Sequence, residues 1–145
     1  MKKVSILAVF IFISLLVCGC AGMYGTVLPS NPIAFSSFPV TDSKNTNDKY
    51  DSIEYNGRIY VPFGTVKSTL KKSEIDQCLG YLDFGTGPNN LHICTLTADP
   101  NNDFLVWVYG YDPTEKPRFY RASDTYHQQI NIPAYIVDLG YDYWK

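Results

Sequence analysis

Ile53-Glu54-Tyr55-Asn56-Gly57-Arg58-Ile59-Tyr60-Val61 is the stretch on which the fold class turns. Apolar residues alternate with polar ones on both sides of Asn56-Gly57, the pair that best tolerates the positive φ angles of a type I′ turn. Alternation puts successive side chains on opposite faces of an extended chain, so this segment predicts a β-hairpin. Toward the C-terminus, Cys78-Leu79-Gly80-Tyr81-Leu82-Asp83-Phe84 and Leu91-His92-Ile93-Cys94-Thr95-Leu96 have strand character, with turn chemistry in Gly85-Thr86-Gly87-Pro88-Asn89-Asn90 between them. A turn centred near Thr86 sets Cys78 opposite Cys94. Asp99-Pro100-Asn101-Asn102 marks the next turn. Phe104-Leu105-Val106-Trp107-Val108-Tyr109 is apolar on both faces, as a strand in the middle of a sheet requires. Residues 112–117 form another Pro-rich turn, followed by a short strand at Phe119 and Tyr120.

Two segments carry helical signals. Residues 66–76 hold strong helix formers with Val66 and Leu70 four apart, and Pro133 and Gly140 bracket Ala134-Tyr135-Ile136-Val137-Asp138-Leu139 as a helix start and stop. The expected fold is α+β and β-rich: a small antiparallel sheet built from hairpins with one or two short helices, in a single domain over residues 53–145. Residues 20–52 read as a flexible tether, because Leu28-Pro29-Ser30-Asn31-Pro32 and the polar run from Thr41 to Lys49 bury too little apolar area to offset the entropy of ordering. Such a coil reaches on the order of 30 Å. Ile33-Ala34-Phe35, with Phe38 and Val40, is the part of it able to dock on the folded domain.

Lys2 and Lys3 precede an apolar run from Val4 to Val17, which ends in Val17-Cys18-Gly19-Cys20. This is the build of a secretory signal peptide, and its end resembles the lipobox of bacterial lipoproteins. In that family an apolar residue, a small residue and Gly or Ala precede a Cys that is lipidated and becomes the first mature residue. Val17, Gly19 and Cys20 match, and Cys18 stands in the place of the small residue. The resemblance implies a signal peptide over 1–19, a diacylglyceryl anchor on Cys20 and a location on the extracytoplasmic face of the cell membrane. Two acyl chains suffice for stable anchoring. The competing reading, a retained spanning helix, has too short an apolar run for the roughly 18 to 20 residues a bilayer core needs.

Further resemblance lies in Tyr55-Asn56-Gly57-Arg58-Ile59-Tyr60-Val61-Pro62-Phe63-Gly64, Cys78-Leu79-Gly80-Tyr81 and Phe119-Tyr120-Arg121-Ala122. These segments look like those of small surface lipoproteins of low-GC Gram-positive bacteria, a likeness that implies no activity and no functional residues. In size and anchoring the chain is also similar to bacteriocin immunity lipoproteins and periplasmic lysozyme inhibitors, without a shared motif.

Charge excludes one class of partner. The formal charge of −2 falls further when Lys2 and Lys3 leave with the signal peptide, and nucleic acid binding needs a concentrated basic surface. Lys67, Lys71 and Lys72 are followed at once by Glu74 and Asp76, the pattern of a solvated mixed-charge segment. Cys18 leaves and Cys20 is lipidated, so Cys78 and Cys94 remain, in an oxidising compartment. A disulfide is expected, with two unpaired buried thiols as the alternative. A zinc site wants four ligands at tight spacings, and only His92 and His127 are available to join the two cysteines.

Asp99, Asn101 and Asp103 open like a calcium loop, but Phe104 stands where the loop needs Gly and Gly110 where it needs Glu, so the segment reads as a turn. Ser123, Asp124 and His127 are too close in sequence for the usual hydrolase arrangement, and no nucleophile-elbow motif accompanies them. What remains in excess is aromatic area: twelve Tyr and two Trp. Leu105, Trp107, Tyr109 and Tyr111 alternate onto one face, and Tyr141, Tyr143 and Trp144 crowd the C-terminus. These residues serve either as core or as a recognition surface. Trp107, Tyr109, Tyr111 and Trp144 are the candidate binding residues, for an envelope protein, a peptide or a glycan. The expected function is a non-catalytic binding module without cofactor, immunity- or inhibitor-like; the alternative is a small envelope hydrolase or other enzyme.

The lipobox reading has a direct test. Cys20→Ser should release the protein to the medium or leave the precursor uncut, as read by fractionation and mass; equal retention of both forms in washed membranes contradicts it.

Overall fold

The computed structural model describes residues 24–42, 44–110 and 115–145; the segment 1–19, Cys20 and Tyr111 lie outside them. Nine strands follow in order: β1 (Ile33–Phe35), β2 (Phe38–Thr41), β3 (Lys49–Tyr55), β4 (Arg58–Val66), β5 (Ile75–Leu82), β6 (Leu91–Leu96), β7 (Phe104–Tyr109), β8 (Arg118–Ala122) and β9 (Ile136–Asp138). Eight of them form one sheet in the order β1-β5-β6-β7-β8-β4-β3-β2, and β9 pairs with β4. Neighbours are antiparallel except β1 and β5, which run parallel.

The hairpin that opened the reading is present as expected. Asn56 (φ 50°) and Gly57 (φ 73°) make its turn, with Ile53 opposite Tyr60 and Tyr55 opposite Arg58. Arg58 then ties the hairpin to the next turns. Its Nη2 lies 2.9 Å from Asp103 Oδ1 and 2.8 Å from Asp124 Oδ1, and its Nη1 donates to the carbonyls of Asn101 and Asn102.

The expected helices are absent among the described residues, so the fold is all-β rather than α+β. Three isolated 3-10 turns are the helical pieces found there. In the 66–76 segment, Val66 is the last residue of β4 and Lys72–Glu74 form one such turn, closed by the Lys71 N–H donating to Glu74 Oε2 at 2.6 Å. Val66 and Leu70 do share a buried cluster, but a strand end and a loop deliver them to it. A segment this short has little helical stability without tertiary help.

In the second segment, the Pro133 carbonyl accepts from the Ile136 N–H, and the Gly140 N–H donates to Asp138 Oδ1. These turns bracket β9. On that side of β4, β3 covers Arg58 to Tyr60 and stops, whereas β9 covers Gly64 to Val66. An unpaired edge with buried neighbours thus outweighs the local Pro-to-Gly signal.

The tether expectation is also corrected. β1 and β2 lie within residues 20–52, and both are paired into the sheet. Phe35, Asp42 and Thr26 are buried, and Tyr24 packs on a core cluster. The docking pattern in Ile33, Phe35, Phe38 and Val40 therefore extends to most of the segment.

Both faces of the sheet are buried. One cluster joins Phe104, Val106, Val108, Cys94, Leu96, Phe119 and Phe63, covered by Leu70, Ile136, Tyr135 and Trp144. The other joins Phe35, Ile53, Tyr60, Leu79, Leu82, Ile93, Leu105 and Ala122. In the second, Phe35 of one edge strand meets Tyr55 of β3, ring centroids 6.2 Å apart. That contact brings opposite ends of the sheet together, so this face is the inside of the curl.

Gly80 permits a close approach of β1 to β5. A Cβ there would stand 2.6 Å from the Ile33 nitrogen and closer still to its carbonyl oxygen. Gly80→Ala should therefore expel β1 and lower stability by about 2 kcal/mol, read as a reduced urea midpoint. An unchanged midpoint contradicts this placement of β1.

Candidate functional site

Curling leaves a cleft of about 350 Å³ at one end of the inner face, beside Ser37 in the link between β1 and β2. Its volume is within the range of small-ligand sites. Alternation along β7 and β8 supplies the floor: Leu105 pairs with Tyr120 and Trp107 with Arg118, so Trp107, Arg118 and Tyr120 share one face. Tyr50 of β3, Tyr141 and Phe84 add aromatic walls. Phe84 follows β5 and is 62% exposed, an unusual state for so large an apolar side chain.

The cleft is mostly apolar, with Lys49, Asp51 and Arg118 as its charged lining residues. The Arg118 guanidinium carbon lies 5.6 Å from the Trp107 ring centroid, a cation–π arrangement. Burial pushes the Tyr120 phenol up to about 12, against the pull of Arg118, so it is a neutral donor at physiological pH. The indole Nε1 of Trp107 is buried and finds no acceptor among the described residues. Buried N–H groups are nearly always paired, so this one is an exception.

The other candidates separate. Tyr109 follows Trp107 on the same strand face and is half-buried, but it does not line the cleft. Trp144 is a packing element on the opposite face: its Nε1 donates to the Pro62 carbonyl at 2.7 Å. Its ring stacks edge-on to Phe63 and lies 4.8 Å from the Arg121 guanidinium. Arg121 is itself buried, bonded to Thr125 Oγ1 and to the Thr125 carbonyl. Cys78 and Cys94 are direct partners across β5 and β6, as the turn at Thr86 implied, and both are free thiols here.

The weaker constellations fall into structural roles. Asp99 Oδ2 accepts from the Phe104 N–H at 2.6 Å and so closes its turn, while Asp103 pairs with Arg58. Asp124 is engaged by Arg58, and His127 is exposed and packed on Tyr126. No group of three or more His, Cys, Asp or Glu side chains suited to a metal occurs among the described residues. His92, placed on a strand by the sequence, is buried on β6, and its Nδ1 lies 2.9 Å from Thr26 Oγ1.

Sequence reasoning missed Arg118, Tyr120 and Phe84 as cleft residues. The alternation of Arg118 and Tyr120 was a usable signal; the register that sets them beside Trp107 was not visible. Comparison of the chain with protein-family models, with curated proteins and with solved structures finds no match in any of the three.

Proposed function

We propose that this protein is a lipid-anchored extracytoplasmic lipoprotein whose β-domain acts by binding, with an immunity- or inhibitor-like role as one concrete form. The observation that carries the binding part is the aromatic cleft, with Trp107, Arg118 and Tyr120 on its floor. A ligand presenting a flat apolar face packs on the aromatic lining, and Arg118 favours an acceptor bearing negative charge. Peptides and glycans of the cell envelope have such groups.

The anchoring part rests on the lipobox resemblance. Tyr24 is packed on the fold, so only residues 21–23 separate it from Cys20. A lipid on Cys20 then holds the domain within roughly 15 Å of the bilayer surface, since an extended residue spans at most about 3.6 Å. This is a closer mounting than a free tether gives, and it suits a ligand that is itself at the membrane or in the adjoining wall.

Substitution at Trp107 tests the reading. With Trp144→Phe as background, Trp107 is the sole indole and its fluorescence reports binding of soluble peptidoglycan fragments and envelope peptides. We expect saturable change with one of these, and at least about a tenfold loss of affinity in Trp107→Ala measured by calorimetry. Equal affinity in a folded Trp107→Ala protein contradicts the cleft as the site.

A further inference from the structure

The pairing of β5 with β6 gathers more than two cysteines. Cys94 and His92 are two apart on β6 and so share a face of the sheet, and Cys78 lies opposite Cys94. Directly opposed residues of an antiparallel pair have Cα atoms roughly 4.5 to 5.5 Å apart. Disulfides span about 4.4 to 6.8 Å, a range that includes the spacing of opposed residues, and register shifts on either side of Cys78 show that β5 is irregular at this point. The two sulfurs differ in access. Cys94 is fully buried, whereas Cys78 is half-buried and lines a surface cleft of about 390 Å³ together with Tyr24, Thr26, Lys72 and Asp76.

Polar groups converge on the accessible sulfur. Cys94 stands directly opposite Cys78, His92 lies on the same face, and the Cys78 Sγ contacts the Gly80 carbonyl at 3.8 Å. His92 is itself held in place, its Nδ1 lying 2.9 Å from Thr26 Oγ1. The neighbouring Cys94 thiol and His92 pull Cys78 down to about 5, burial acting the other way, while Cys94 is pushed up by Cys78 beside it and by burial. The remaining titratable groups around the cleft are Lys72, Asp76 and Tyr24. A purely structural bridge needs neither an exposed member nor a stabilised thiolate.

We propose that Cys78 and Cys94 form a redox-active dithiol–disulfide pair, with Cys78 as the attacking thiolate, Cys94 as the resolving thiol, and a disulfide or thiol entering the cleft as exchange partner. In the oxidising direction the Cys78 thiolate attacks one sulfur of the partner disulfide. The partner S–S bond breaks, a mixed disulfide forms at Cys78, and the first partner thiolate leaves. Cys94 then loses its proton and attacks the Cys78 sulfur, which expels the second partner thiolate. Two electrons pass from the cysteine pair to the partner, whose two thiolates take up one proton from Cys94 and one from water. With a dithiol partner the same steps run in reverse.

The test uses the full chain in detergent, reduced, with iodoacetamide and glutathione as probes and peptide mass mapping to assign each cysteine. Between pH 6 and 8 the alkylation rate of Cys78 in the wild type should change by less than about twofold, whereas an ordinary thiol rises roughly 50- to 100-fold. His92→Gln should restore part of that rise. In glutathione buffers Cys78 and Cys94 should interconvert between dithiol and disulfide in the folded protein, and Cys94→Ala should trap glutathione on Cys78. An ordinary-thiol profile at Cys78 overturns the proposal, as does a Cys78–Cys94 bond that excess reduced glutathione cannot open under native conditions. The wild-type measurements need no substitution, so they decide the question even if a variant fails to fold.

Discussion

Phe35 ends β1 and Phe38 begins β2, with only Ser36 and Ser37 between them. These strands stand at opposite ends of the sheet order. Three Cα-to-Cα steps span at most about 11 Å, whereas eight strands laid flat at roughly 4.8 Å spacing would set the edges more than 30 Å apart. The chain can satisfy both pairings only if the sheet curls until its edges nearly meet. The Phe35–Tyr55 contact records that closure on the inside, and Gly80 allows β1 to seat against β5.

Much of the rest follows from the curl. An inner face closed by its own edges excludes water, so Ile53, Tyr60, Ile93 and Leu105 are fully buried there. The outer face is covered by the loops and the C-terminal segment, with Trp144 and Ile136 among its lid residues. Burial on both sides explains why β7 carries apolar residues at consecutive positions. Two arginines act as fasteners: the partly exposed Arg58 clamps turns through Asp103 and Asp124, and the buried Arg121 bonds the Thr125 segment beside Trp144. The cleft at Trp107 lies at the end of the same inner face, beside the link that forces the closure. Fold and candidate site thus share one cause.

Local chemistry was legible. The Asn56-Gly57 hairpin, the Cys78–Cys94 register and the two-faced strand at 104–109 were all readable, because turn residues and period-two patterns act over a few positions. The helices expected at 66–76 and 133–140 failed for a reason outside those windows: β4 presents an edge that β9 completes, and a paired edge outweighs weak helical signals. The tether reading failed similarly. Composition marked residues 20–52 as polar and Pro-rich, yet sparse apolar residues such as Phe35 suffice when the sheet supplies the rest of the core. Trp107 was legible as a candidate from alternation alone, whereas Arg118 and Tyr120 required the β7–β8 register. The neighbours of His92 were illegible, since Thr26 lies 66 positions away in the chain.

Native-state hydrogen exchange tests the central claim, that residues 33–41 lock the sheet into its curl. If they do, amides of β1 and β2 are protected and lose protection together with those of β7 as denaturant is raised, because opening either edge opens the inner core. Exchange of residues 33–41 at unprotected rates, with Phe104–Tyr109 still fully protected, would show a sheet that keeps its core without them and would contradict the account.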